Sequence, residues 1–97
     1  MAIKFEWDQE KAEANWSKHK VRFEQARAAF RDFHALDEVD DKEDYGEERF
    51  NLTGMVDNRL LVVTYTQRSD EKTGGEIVRI ISARKAERRE AKRYHEA

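Results

Sequence analysis

The run Arg59-Leu60-Leu61-Val62-Val63-Thr64-Tyr65-Thr66 decides the fold. It is β-branched and aromatic, and apolar at successive positions, as a strand covered on both faces must be. Ile77-Val78-Arg79-Ile80-Ile81 is a second run of the same kind. The intervening Ser69 to Gly75, with Asp70, Thr73, Gly74 and Gly75, predicts a flexible loop. Upstream, Asp57-Asn58 suits a hairpin turn. Arg49 to Met55 alternates around Phe50, Leu52 and Met55, and Ala35 to Val39 suits an edge strand whose charges discourage stray pairing. Gly46, after the acidic run Asp37 to Asp44, suggests a turn.

The N-terminal third has a different period. Phe5-Glu6-Trp7 alternates like a short strand, and Asp8 then offers a carboxylate to the first orphan amides of a helix. Ala12, Trp16 and His19 share one face of that helix, which runs to about Lys18. His19 to Arg22 reads as a turn, and Phe23, Ala26, Phe30 and Phe33 recur at the spacing of a second helix. At the other end Ser82 can cap a helix from Ala83 to about His95. A short strand and two helices followed by three or four antiparallel strands and a last helix define an α+β domain.

The chain has 97 residues, with neither Pro nor Cys, so one domain spanning 1–97 is expected. Without cysteine there is no disulfide framework, no thiolate metal site and no Cys nucleophile. No apolar run reaches the roughly 20 residues that span a bilayer. Met1 to Asp8 lacks the basic-then-apolar order of a signal peptide, so a cytoplasmic protein with no membrane partner is expected. Charged residues make up 41% and hydrophobic ones 38%, so the core must be small, and ten aromatics have to supply much of its area.

The net charge of −2 conceals an uneven distribution. Residues 32–57 carry ten acidic against two basic side chains, whereas residues 77–97 carry seven basic against three acidic. On a helix beginning at Ala83, the side chains of Arg84, Lys85, Arg88, Arg89, Lys92 and Arg93 fall within one half of the surface. Such an arc is either an anion- or nucleic-acid-binding face or a solvated surface. The histidines at 19, 34 and 95 have no metal-ligand spacing, which points to no metal and no cofactor. His19, beside Lys18, is either a packed, hydrogen-bonded side chain or an acid–base group.

Several short motifs, in order along almost the whole chain, resemble one family. Phe5-Glu6-Trp7-Asp8, Lys11-Ala12, Asn15, Lys18-His19 and Val21-Arg22-Phe23-Glu24 with Ala26 look like the N-terminal signature of BrnT toxins. Gly46-Glu47, Arg49, Gly54 and Arg59 match its middle. Arg79-Ile80-Ile81-Ser82-Ala83-Arg84-Lys85-Ala86, continuing through Arg88-Arg89-Glu90 to Tyr94, matches its end. The chain departs where the family usually has Gly after Lys-His, here Lys20, and Thr after Lys85-Ala86, here Glu87.

The resemblance implies a RelE-like fold and a ribonuclease that cuts RNA without metal and blocks translation. It also implies a hetero-oligomer with a BrnA-like antitoxin, through which alone DNA would be contacted. Metal-free cleavage requires a base, an acid and positive charge for the phosphorane. Under that reading His19, Arg68 and Arg84 are the catalytic candidates, and Lys18, Arg49, Arg79, Lys85, Arg88 and Arg89 the RNA-binding ones. Arg68, Arg79 and Arg84, at the ends of the two best strands, could then be aimed at one phosphate. Arg79 among Ile77 and Ile81 is either an ion-pair partner or the floor of a site. Tyr65 is a core residue or a stacking partner, and Glu47 a surface carboxylate or a base. A non-catalytic nucleic-acid- or protein-binding module is the alternative.

Overall fold

The computed structural model describes residues 3–40 and 47–97. The order is β1 (Ile3–Glu6), α1 (Gln9–His19), α2 (Phe23–Ala28) with a 3₁₀ turn at Ala29–Arg31, β2 (Leu36–Asp40), β3 (Arg49–Val56), β4 (Arg59–Ser69), β5 (Glu76–Lys85) and α3 (Arg88–Glu96). The α+β expectation holds, but the sheet has five strands in the order β1-β5-β4-β3-β2. It is mixed, because β1 joins β5 in parallel and all other pairs are antiparallel. The Gly46 turn and the acidic residues 41–44 lie outside the described residues.

One face of the sheet is dry. Leu61, Val63 and Tyr65 of β4, Val78, Ile80 and Ala83 of β5, and Leu52 of β3 pack against Val21, Phe23, Ala26 and Ala29. Edge-on ring contacts of Phe5 with Phe30, Phe30 with Tyr65, and Trp7 with Phe23 extend this core. Gly54 is required where β3 passes under the 3₁₀ turn, since a Cβ there would stand 2.7 Å from the Ala29 carbonyl oxygen. Phe33 leaves the expected helical face: the helix ends at Ala28, and Phe33 is 94% exposed. Asp57 and Asn58 form the expected hairpin turn, both with positive φ (47° and 67°).

Three local features redirect the chain. Asp8 caps α1 by accepting from the Glu10 and Lys11 amides. Lys20 ends α1 in the left-handed conformation, at φ 57°, the position where the family usually has glycine. The Ser69–Gly75 segment, expected as a flexible loop, is a turn closed by hydrogen bonds. Asp70 accepts from the Lys72 amide and the Thr73 hydroxyl, and its backbone bonds both Gly74 and Gly75.

The largest departure is at β5. A helix from Ala83 capped by Ser82 does not form, because β5 continues to Lys85, paired with Leu61, and α3 starts only at Arg88. Thr64 pairs with Ser82 and Tyr65 with Ile80, so Ile81 is an extra residue, a β-bulge. The bulge reverses the alternation. Arg79 and Arg84, an odd number of positions apart, therefore occupy the same face, opposite Thr66 and Val62 respectively.

Candidate active site

The face turned away from α1 and α2 carries the polar chemistry. Across it lie Glu6 of β1, Arg79, Ser82 and Arg84 of β5, Thr64, Thr66 and Arg68 of β4, and Asn51 of β3. At one end three strands converge on a single carboxylate. Arg68 donates from both terminal nitrogens to Glu6, at 2.9 and 3.2 Å, and Arg79 donates to the same carboxylate at 3.2 Å. The Arg68 hydrogen bonds hold the Glu6 carboxyl below its ordinary pKa; partial burial opposes them, and Arg79 adds to them. Beside this cluster is a cleft of about 440 Å³ lined by Glu47, Glu48, Thr66, Arg68, Glu76 and Arg79.

At the other end Arg84 grips Glu90 of α3 with a two-pronged contact, at 2.8 and 2.6 Å. Glu90 is buried at the start of α3 and also accepts from the Glu87 amide, closing the first turn. Arg84 keeps Glu90 below the ordinary carboxylate value, against a burial effect that raises it. Two more contacts pin α3 across the sheet: Arg93 to Glu38 at 3.1 Å, and the Tyr94 hydroxyl donating to Asp32. Thr64, between the two arginine ends, donates to Asn51 at 2.6 Å.

The expected site residues thus divide. Arg68 and Arg79 meet at Glu6. Arg84 shares their face, but the positions of Arg68 and of Val62, its pairing partner, are about 20 Å apart along β4. The three arginines therefore do not converge on one point. Arg49 lies half-buried at the start of β3, opposite Asp40 of β2. Lys18 and His19 end α1 on the opposite side of the sheet. Lys85, paired with Leu61, falls on that helix-bearing side as well. Arg88 and Arg89 are exposed on α3. The six-residue basic arc is broken, because Arg84 and Lys85 belong to a strand and Arg84 and Arg93 are both ion-paired. Tyr65 is a core residue, 2% exposed, with its hydroxyl on Asp37 and its pKa pushed up by burial and that bond. Glu47 is exposed at the cleft rim.

Glu6, Glu90 and Asn15 are the residues whose roles were not foreseen. The alternation of Phe5 inward with Glu6 outward was visible, but its arginine partners lie more than sixty positions away. Glu90, three residues after Glu87, is a helix-start signal that an assumed earlier helix obscures. Among the described residues no three His, Asp or Glu side chains group as metal ligands would. No described helix is long and apolar enough to cross a membrane.

Fold and site together define a small α+β domain with arginines displayed on the helix-free part of its sheet. The profile of the family described as ribonuclease toxin, BrnT, of type II toxin–antitoxin system matches residues 7–90. The chain belongs to the BrnT family of ribonuclease toxins, as the motif resemblance implied, and an RNA target and an antitoxin partner come with that membership. No curated protein matches the chain.

Proposed function

We propose that this protein cleaves RNA without a metal ion on the arginine-bearing face of its sheet, and that this cleavage blocks translation in the cytoplasm. The observation that carries the reading is the convergence of Arg68 and Arg79 on Glu6. Guanidinium forks that hold a carboxylate from two sides have the geometry to hold the oxygens of a phosphate. Both arginines keep unused N–H donors, and both are about half exposed (55% and 43%). Two fixed positive charges beside one phosphate supply the transition-state stabilisation that a metal would otherwise provide.

In this reading Arg68 and Arg79 bind the scissile phosphate, and Thr66, Thr64 and Ser82 carry the strand of RNA toward Arg84. Arg49, Arg88 and Arg89 flank that track. Lys18, His19 and Lys85 lie on the helix-bearing side, where His19 serves RNA or antitoxin binding or acts on a substrate that wraps the edge. A BrnA-like antitoxin neutralises the toxin in a hetero-oligomer, and contact with DNA passes through that partner.

The test is incubation of the purified protein with RNA in excess EDTA. Cleavage supports the proposal. A mobility shift without cleavage selects a non-catalytic RNA-binding module, and the absence of both cleavage and a shift selects a protein-interaction domain.

A further inference from the structure

We infer that Glu6 is the general base of the cleavage reaction, an inference that rests on the reading of the Arg68–Arg79 cluster as the phosphate site. Glu6 is the one carboxylate hydrogen-bonded to both arginines among the described residues. A phosphate seated on the outer donors of Arg68 and Arg79 brings its neighbouring ribose next to the Glu6 oxygens. A carboxylate so placed would meet the geometric requirement for a base, hydrogen-bond reach of the 2′-hydroxyl.

A purely stabilising role explains the cluster poorly. Its three side chains are all substantially exposed, and ion pairs of that kind contribute about 0–1 kcal/mol. Three separate strands, one of them parallel and added at the sheet edge, are nevertheless brought into register to build it.

In the reaction Glu6 accepts the 2′-hydroxyl proton as the 2′-oxygen forms its bond to phosphorus. The bond from phosphorus to the 5′-oxygen breaks, and its electron pair goes to that oxygen, which takes a proton from water. The products are a 2′,3′-cyclic phosphate and a 5′-hydroxyl. The hydroxide left behind removes the proton from Glu6, restoring the carboxylate.

The Arg68 hydrogen bonds, with Arg79 adding to them, lower the basicity of Glu6 and keep it ionised at neutral pH, so the rate should fall only in acid. The charged groups near Glu6 are Arg68 and Arg79, the Lys4–Asp70 pair on the same edge, and Glu47, Glu48 and Glu76 at the adjoining cleft.

The experiment measures single-turnover cleavage of an RNA oligonucleotide in EDTA between about pH 3.5 and 8 for wild type, Glu6→Gln and Glu6→Asp. Binding of the same oligonucleotide with 2′-deoxyribose at each position is measured in parallel. Glu6→Gln keeps a hydrogen-bond acceptor for the arginines and should slow cleavage by about 10²–10⁴-fold. It should also erase the acid limb and leave binding of the deoxy oligonucleotide undiminished, with Glu6→Asp recovering part of the rate. Cleavage by Glu6→Gln within twofold of wild type, or a slowed rate with the acid limb intact, overturns the base role. Wild type that binds but does not cleave overturns the underlying reading and the base together. Cleavage that survives Arg68→Ala and Arg79→Ala overturns the placement of the site, and with it the base.

Discussion

The carboxamide of Asn15 pairs with the backbone of Ala83 as a neighbouring strand would. Its Nδ2 donates to the Ala83 carbonyl at 2.9 Å, and its Oδ1 accepts from the Ala83 amide at 3.0 Å. Strand β1 pairs with β5 only as far as Arg79, so beyond the bulge the outer edge of β5 has no strand beside it. Asn15 fills that place from α1, and the same Nδ2 also donates to the Val21 carbonyl, fixing the chain where it leaves the left-handed turn. One buried side chain thus ties helix, turn and the strand that carries Arg79 and Arg84.

Replacing Asn15 by Ala would strand the amide and carbonyl of Ala83 and the carbonyl of Val21 in the interior. The expected destabilisation is about 2–3 kcal/mol. Asn15→Asp should also destabilise, because a carboxylate accepts from the Ala83 amide but donates to neither carbonyl. Urea unfolding of the three proteins measures this, and an Asn15→Ala midpoint equal to wild type would contradict it.

Lys20 holds a left-handed conformation that costs a non-glycine residue about 1–2 kcal/mol. Lys20→Gly should stabilise the protein by about 0.5–1 kcal/mol, the gain being reduced by the greater chain entropy of glycine and by loss of the Lys20–Trp16 cation–π contact. Thermal unfolding reads the difference. A lower Tm for Lys20→Gly would mean that the lysine's contacts outweigh its backbone strain.

Helix α3 is held mainly by ionised groups and should come loose in acid. Glu90 is depressed chiefly by its bonds to Arg84. For Asp32, burial pushes the pKa up, but the Tyr94 hydroxyl and the amides of Met55 and His34 outweigh it and leave it lowered. A carboxyl whose folded pKa lies below its unfolded value stabilises fully above the unfolded value, about 4. That contribution is lost as pH falls through the folded one. Hydrogen exchange, corrected for intrinsic rates, should show α3 losing protection as pH falls below about 4 while β4 and β5 keep theirs. Glu90→Gln should weaken α3 at neutral pH by about 1–2 kcal/mol, less than for a fully buried pair because Arg84 is about one-third exposed. Equal protection of α3 and the sheet at both pH values would contradict this.

How much of this was legible in the sequence follows from how local each signal is. The β-branched runs at 60–65 and 77–81 and the Asp57-Asn58 turn report on their own backbone, and β4, β5 and the hairpin were recovered. The end of β5 is not legible there, because Ser82-Ala83 carries a helix-start pattern and pairing with Leu61 to Thr64 is what keeps Ser82 to Lys85 extended. The bulge at Ile81 was equally hidden, and with it the shared face of Arg79 and Arg84. Arg68 and Arg79 were recognised as candidates from residue type and strand position. Glu6 was not, because its role exists only once β1 is laid parallel to β5, a contact that no periodicity within either segment encodes.

Cleavage of a defined RNA oligonucleotide in excess EDTA, compared between wild type and Arg79→Ala, tests the central claim most directly. Arg79 is about half exposed, and among the described residues its side chain pairs with Glu6, so the variant should fold as wild type by circular dichroism. Wild type should cleave, and Arg79→Ala should be slower by about 10²–10³-fold, the loss expected when one donor to a developing anion is removed. Cleavage that requires added metal, or undiminished cleavage by folded Arg79→Ala, would contradict metal-free catalysis on this face of the sheet.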